Sequence, residues 1–165
     1  MRKGDIINIL KSGGVGVLPT DTIYGLVGRA LTPRAVKRIY TLKKRARNKP
    51  FIILISRLED LELFDIKLDK NLKSRLGEFW PGPTSIIINN IAFRLPKLVW
   101  LRKVISETGP LIATSANPEG KPPAEDIIEA KRYFGQNIDF YLAGKTGKKP
   151  SRLIKFWGKK VLYLR

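Results

Sequence analysis

The sequence predicts an α/β fold, a single domain spanning residues 1–165 in which helices flank an open, twisted, mixed β-sheet. Three observations predict it. Apolar runs of strand length alternate with segments of helical period along the whole chain. FIILI, residues 51–55, is a continuous apolar run, the pattern of a strand buried on both faces. The 165 residues, 43% of them apolar, are enough for one core, and no linker, repeat or low-complexity segment interrupts them.

The elements follow in order. Asp5 is placed to cap a short helix that stops at Gly13-Gly14, and a strand follows at Val15–Leu18. Thr32-Pro33 is an N-cap with proline at the first helical position, opening a helix to about Leu42. Ser56-Arg57-Leu58-Glu59 has the spacing of a capping box and starts the next helix; Asp69 caps another that ends before Trp80. Trp80-Pro81-Gly82-Pro83 is a rigid turn. Residues 85–88 and 91–95 are strands joined through Asn89-Asn90, a hairpin. Residues 96–107 are expected to be helical, 111–114 extended and 124–133 helical. Short late strands are expected at 138–142, 153–156 and 161–164.

Composition excludes whole classes of chemistry. There is no Cys, which removes disulfides, thiolate metal sites and thiol nucleophiles. There is no His, which removes Ser-His and Cys-His pairs and imidazole acid–base work. Lys and Arg number 32 against 14 Asp and Glu, a net charge of +18 that implies polyanionic partners, nucleotide phosphates or nucleic acid. The cations are clustered. Lys37, Arg38, Lys43, Lys44, Arg45, Arg47 and Lys49 lie together with no acid among them, and residues 144–165 are equally free of acids. No apolar run reaches the roughly 18 residues of a membrane span, and the N-terminus is too polar for a signal peptide, so a cytoplasmic protein without membrane partners is expected.

The candidate functional residues lie where strands end. Gly144-Lys145-Thr146 looks like the end of a phosphate loop but lacks the upstream glycine. LPTDTIYGL, 18–26, puts Thr20, Asp21 and Thr22 at the C-terminal edge of the first strand, where open sheets bind ligands; an Asx or Thr turn is the alternative. The basic run 43–49 is either a phosphate cradle or a solvated turn. Arg94 stands in an apolar stretch, so its guanidinium needs a carboxylate or phosphate partner, either Asp21 or a ligand. Ser115 and Asn117 close an apolar strand and suit hydrogen bonding to a polar ligand. Ser151 follows a Gly/Lys-rich loop in the same way. These clusters together have the makings of one site for a nucleotide and a small metabolite.

The order of these motifs is more specific than any one of them. PTDTIYGL, LKKRARNKP, WPGPTSIII, FRLP, TSANPEGKPP and GKTGKKPS, taken together, resemble the YrdC-like family, the threonylcarbamoyl-AMP synthases, over nearly the whole chain. Lys43/Arg45 meet its K-x-R signature and Ser115/Asn117 its S-x-N signature. The resemblance implies a twisted open sheet with a basic concave surface. It implies that L-threonine, bicarbonate and Mg²⁺-bound ATP are joined into threonylcarbamoyl-AMP with release of pyrophosphate, for modification of tRNA by a partner complex. It further implies that Thr22, Arg94, Ser115 and Ser151 meet threonine, and that Arg45, Lys49 and Asn117 meet ATP. Lys43 and Arg45 are then the catalytic cations.

The chain departs from the pattern in four places. Ile53-Leu54 replaces a histidine found in some members, and the segment between the PGP turn and FRLP is short. Pro123-Ala124-Glu125 stands for Ser-Pro-Thr, and Arg152 for a threonine after the late serine. Two other readings compete. One is an RNA-binding module on the same fold with weakened or absent catalysis. The other is a carbamoyl-phosphate-using maturation factor, which the lack of His, Cys and accessory domains opposes.

Overall fold

A computed structural model describes residues 2–46 and 51–165. Nine strands form one mixed sheet in the order β7-β1-β2-β6-β3-β5-β4-β8-β9. The strands are β1 Val15–Leu18, β2 Gly25–Arg29, β3 Ile52–Leu54, β4 Thr84–Ile88, β5 Ile91–Arg94, β6 Leu111–Ser115, β7 Phe140–Tyr141, β8 Arg152–Trp157 and β9 Lys160–Tyr163. The helices are α1 Lys3–Lys11, α2 Pro33–Lys43, α3 Lys70–Gly77, α4 Val99–Thr108 and α5 Ile127–Phe134, with a 3₁₀ helix at Leu58–Phe64. β3 pairs parallel to β5 and antiparallel to β6; β4 pairs parallel to β8. The fold class read from the sequence is the one observed.

The two faces of the sheet are covered unequally, and this difference positions the site. Val15, Val17, Leu26, Ile53, Ile86, Phe93, Ile112 and Ile154 point to one face, where they share a core with Ala35 and Ile39 of α2, Leu61 of the 3₁₀ helix, Leu76 of α3 and Ala130 of α5. The other face is covered only in part. Ile6, Ile7 and Leu10 of α1 and Leu101, Val104 and Ile105 of α4 pack on Leu18, Val27, Leu54, Leu111 and Ala113. Past β3 no helix follows among the described residues. A single row of registered residues, Ala113, Ile52, Ala92, Ile87, Lys155 and Leu162, runs from the covered half out across the open half.

Several expected elements are moved or added. β2 is a strand that begins inside the expected loop 18–26: GLVGR carries a glycine at either side of its apolar pair, which hides the pattern. Asp5 is not the cap of α1 but its third residue, reaching back to accept from the Arg2 amide at 2.9 Å. The capping box at residue 56 is shifted by one. Asp60, not Glu59, accepts from the Ser56 amide and hydroxyl, at 2.7 and 2.8 Å, and the helix it starts is 3₁₀. Helix α4 begins at Val99 rather than residue 96, because Leu98 is still extended and the Lys97 amide donates to Asp21 Oδ2 at 3.0 Å. Helix α5 begins at Ile127, since Asp126 caps it and Ala124 is still bound to the Ala116 carbonyl. The Asp69 cap holds as expected, accepting from Leu72 at 2.7 Å. So does the Asn89-Asn90 turn, whose two residues both have positive φ, 47° and 64°.

Candidate active site

The edge of the open half is a cavity of about 440 Å³. Five chain segments supply most of its wall, with Asn90 and Pro123 at its margin. Thr20, Thr22 and Tyr24 come from the loop after β1, Arg45 and Phe51 from either side of the basic loop, and Arg94 from the end of β5. Ser115 comes from the end of β6, and Ser151 and Arg165 from either end of the terminal hairpin. Ile52, Ile87 and Ala92 form an apolar floor.

Arg94 anchors the polar end. It is 4% exposed. One terminal nitrogen donates to Thr22 Oγ1 at 2.9 Å, and the other lies 3.5 Å from Asp21 Oδ1. Among the described residues its buried Nε–H has no hydrogen-bond partner, and Asp21 Oδ1 has the ion pair but no hydrogen bond. Burial lowers the Arg94 pKa from its ordinary value; Asp21 opposes this and the charge of Arg165 adds to it. Of the two alternatives for Arg94, Asp21 is thus a partner within the fold, and one guanidinium donor is left over. Thr22 Oγ1 shares a hydrogen bond with Thr20 Oγ1 at 2.9 Å, which fixes its hydroxyl beside the guanidinium.

The late glycine-rich loop is a wedge and not a phosphate loop. No helix follows it; the chain enters β8. Tyr24 Oη donates to the Gly144 carbonyl at 2.7 Å and accepts from the Gly144 amide at 3.1 Å. A Cβ on Gly147 would stand 2.6 Å from the Thr22 carbonyl oxygen and 2.7 Å from that of Asp21. Only glycine permits this approach. The loop so seated delivers Ser151, whose hydroxyl shares a 2.9 Å hydrogen bond with buried Ser85. Arg165 Nε donates to the Ser151 carbonyl at 3.2 Å.

Lys43 and Asn117 are close to the cavity but are not part of its wall. Lys43 is 3% exposed, and its Nζ donates to the Ser115 carbonyl at 2.8 Å and to Asn117 Oδ1 at 2.9 Å. Burial, and then the nearby charge of Arg45, lower its pKa from 10.5 to about 8, with Glu119 opposing. Helix α2 ends at Lys44, which takes the left-handed conformation (φ 52°), so that Arg45 leaves the helix axis and its guanidinium carbon sits 5.1 Å from the Phe51 ring centroid.

Of the sequence-predicted residues, the fold thus brings Thr22, Arg45, Arg94, Ser115 and Ser151 to one cavity, with Lys43 and Asn117 adjoining. Lys49 lies outside the described residues. Leu54, of the Ile53-Leu54 pair, lines the cavity. Of the Pro123-Ala124-Glu125 departure, Pro123 lines the cavity, whereas Glu125 is exposed and bound through its amide to Glu129; Arg152 donates to Thr84 Oγ1 at 3.1 Å and is not part of the wall. Sequence reasoning missed Ser85, Asn90 and Arg165. Ser85 was hidden inside an apolar strand, and Arg165 reaches the site only through the pairing of β9 with β8.

Comparison with known proteins agrees with this arrangement. Residues 8–165 match the model of the Sua5/YciO/YrdC family, described as "Telomere recombination". Two curated relatives, each named threonylcarbamoyl-AMP synthase, come from Cellvibrio japonicus and Coxiella burnetii. The first is 32% identical, covering 86% of this chain and 83% of that one; the second is 33% identical, covering 87% and 85%. The crystal structure of P. abyssi Sua5 complexed with L-threonine superposes with a TM-score of 0.85 at 27% identity, covering 99% of this chain and 53% of that one. This chain therefore spans about half of the P. abyssi protein. E. coli YciO shares the fold, with a TM-score of 0.84 at 21% identity, covering 99% of this chain and 87% of that one. On a family match through almost its whole length and on relatives of this similarity, the chain belongs to the Sua5/YciO/YrdC family.

Proposed function

We propose that this protein is a threonylcarbamoyl-AMP synthase, making threonylcarbamoyl-adenylate from L-threonine, bicarbonate and ATP for tRNA modification. The observation that carries the reading is the convergence of Thr22, Arg45, Arg94, Ser115 and Ser151 on one cavity of about 440 Å³. The relatives named for this activity and the L-threonine complex of P. abyssi Sua5 support it.

The chemistry asks chiefly for charge neutralisation and alignment. The threonine ammonium loses a proton to solvent, and the free amine bonds to the carbon of bicarbonate with loss of water, or to CO₂ with loss of a second proton to solvent, giving a carbamate. A carbamate oxygen then bonds to the α-phosphorus of ATP while the bond to pyrophosphate breaks. In this second step both reactants are anionic and no proton moves, so positioned cations lower the barrier. The spare Nε–H of Arg94 is the donor for the threonine carboxylate, next to the Thr22 hydroxyl. In this reading Ser115 and Ser151 serve the amino acid, and Arg45 and Lys49 the phosphates, as the family pattern implies. Arg165 adds a second guanidinium on the Ser151 side. Among the described residues no group of three acidic side chains stands where it would hold a metal. In this reading Mg²⁺ enters with ATP, on its phosphates, as the family pattern implies.

Purified protein given Mg-ATP, bicarbonate and L-threonine is expected to release pyrophosphate only when threonine is present. Folded protein without threonine-dependent release would refute the reading. The sheet that runs through all nine strands supports taking residues 1–165 as one domain. No described helix is long and apolar enough to cross a membrane, which is compatible with work in the cytoplasm beside tRNA and its modification machinery.

A second reading, RNA binding on the same fold, has one specific observation in its favour. Trp157 and Tyr163 are 66% and 63% exposed on the terminal hairpin, amid Lys155, Lys159 and Lys160 and with no acid from 144 to 165. Exposed aromatics among cations suit stacking on unpaired bases. Binding of unfractionated tRNA that falls steeply with salt and is lost in Trp157→Ala, in a protein with no ATP affinity, would favour this reading over the synthase.

A further inference from the structure

We propose that Lys43 is a latch for the adenylate site: its ammonium holds the Ser115–Asn117 segment in position and meets neither substrate. The inference rests on the reading of Ser115 and Asn117 as substrate contacts. Lys43 Nζ lies 2.8 Å from the Ser115 carbonyl oxygen, 3.3 Å from Ser115 Oγ and 2.9 Å from Asn117 Oδ1. An ammonium has three donors. All three point at this one segment, and none is left for a phosphate oxygen.

The backbone repeats the link, since the Glu119 amide donates to the Lys43 carbonyl at 2.7 Å. Because Asn117 Oδ1 accepts from Lys43, its Nδ2 turns to the carbonyls of Pro118 and Lys121. The side chain thereby has one orientation. The last residue of α2 and the exit of β6 are thus tied together, and Arg45, two residues beyond Lys43, shares that frame. Lys43 is a positioning residue in this account, acting through Ser115 and Asn117.

The latch has a pH dependence with a definite sign. Among the described residues the charged groups that act on Lys43 are Arg45, which lowers its pKa, and Glu119, which raises it; the groups bonded to its Nζ do not titrate. With a pKa of about 8, the latch is charged and intact at pH 7 and loses one donor as the pH rises through about 8. Global stability moves the other way. Between about 8 and 10.5 the unfolded chain holds the proton and the folded one does not, so the contribution of Lys43 to stability rises across that window.

The test has two parts. In NMR spectra of the ligand-free protein, the Asn117 side-chain amide and the 115–119 backbone signals are expected to shift with a midpoint near pH 8. In Lys43→Met that transition is expected to vanish. In calorimetry with an ATP analogue whose α,β-bridge cannot be cleaved, Lys43→Met and Asn117→Ala are each expected to weaken binding about tenfold. The double variant is expected to be no weaker than the worse single one, because both break the same link. Losses that multiply would mean that Lys43 has its own contact with the nucleotide, and would overturn the latch. An Asn117 amide that ignores pH would overturn it too. If Lys43→Met does not fold, Lys43→Arg removes the titration while keeping the charge, and a transition near pH 8 that survives there is equally fatal. Wild-type protein that binds no ATP refutes the proposed function instead, while the NMR titration still decides the latch.

Discussion

The two halves of the sheet treat one face in opposite ways. From β1 to β6 that face lies beneath α1 and α4 and is lined by Leu18, Val27, Leu111 and Ala113. From β5 to β9 the same face, in the same register, lies outside the α1–α4 core among the described residues and carries Ala92, Ile87, Lys155 and Leu162. The covered half supplies rigidity, and the cavity opens where the cover stops. Functional side chains sit at that boundary because strand ends there project groups fixed by a packed core into solvent-accessible space. The difference teaches that the site is an edge of the cover as much as a set of motifs.

The largest expected effect comes from breaking the boundary itself. Arg94 and Asp21 are both buried, and Arg94→Leu leaves the Asp21 carboxylate without its cation. A loss of about 3–5 kcal/mol is expected in denaturant unfolding. Asp21→Asn in the same chain is expected to return part of that stability. Threonine binding, measured by calorimetry, is expected to remain absent in both. If the double variant recovers threonine affinity, Arg94 is a structural residue alone.

The two halves are compared directly by truncating one leucine in each. Leu101 of α4 is fully buried against the covered half, and Leu101→Ala is expected to cost about 2–5 kcal/mol. Leu162 is 40% exposed at the open edge, and Leu162→Ala is expected to stay within about 0.5 kcal/mol. Equal losses would mean that the open face is packed against something in solution.

Most of this asymmetry was not legible in the chain. FIILI told of a strand between two covered faces, yet Ile52 points to the floor of the cavity, and nothing in five apolar residues says that one cover is partial. The site was more legible than its support. Thr22, Arg94 and Ser115 could be picked out because polar groups ending apolar runs are locally conspicuous. Arg165 could not, since its place depends on a hairpin register and its meaning on Ser151, fourteen positions away. The glycines of 144–147 resembled a phosphate loop by composition. Their actual need, a close approach to the Asp21–Thr22 backbone, is a tertiary fact.

That approach gives the next prediction. Gly147→Ala places a methyl against two carbonyl oxygens, and relief requires the loop to move away from Thr22. A stability loss of about 1–3 kcal/mol is expected. The KM for threonine is expected to rise, since Thr22 and Ser151 are held by the two segments that must part. An unchanged KM with lowered stability would show that the wedge serves the fold alone.

The smallest effect separates the turn of the β4–β5 hairpin from the cavity it borders. Asn90 has a φ of 64° and also lines the cavity wall, so its side chain and its backbone have separate duties. Asn90→Ala keeps a Cβ in the left-handed region without the polar side chain that tolerates it, and is expected to cost about 1 kcal/mol. Asn90→Gly keeps the conformation free of that penalty and forms Asn-Gly, the pair this turn type favours, so stability is expected to stay within about 0.5 kcal/mol of the wild type. Thermal unfolding of the two variants tests the backbone duty, and the glycine variant then exposes the other one. With the hairpin intact and only a side chain removed, a rise in the KM for ATP or threonine assigns Asn90 to the substrates. Unchanged values assign the cavity at this end to its apolar floor, Ile87 and Ala92.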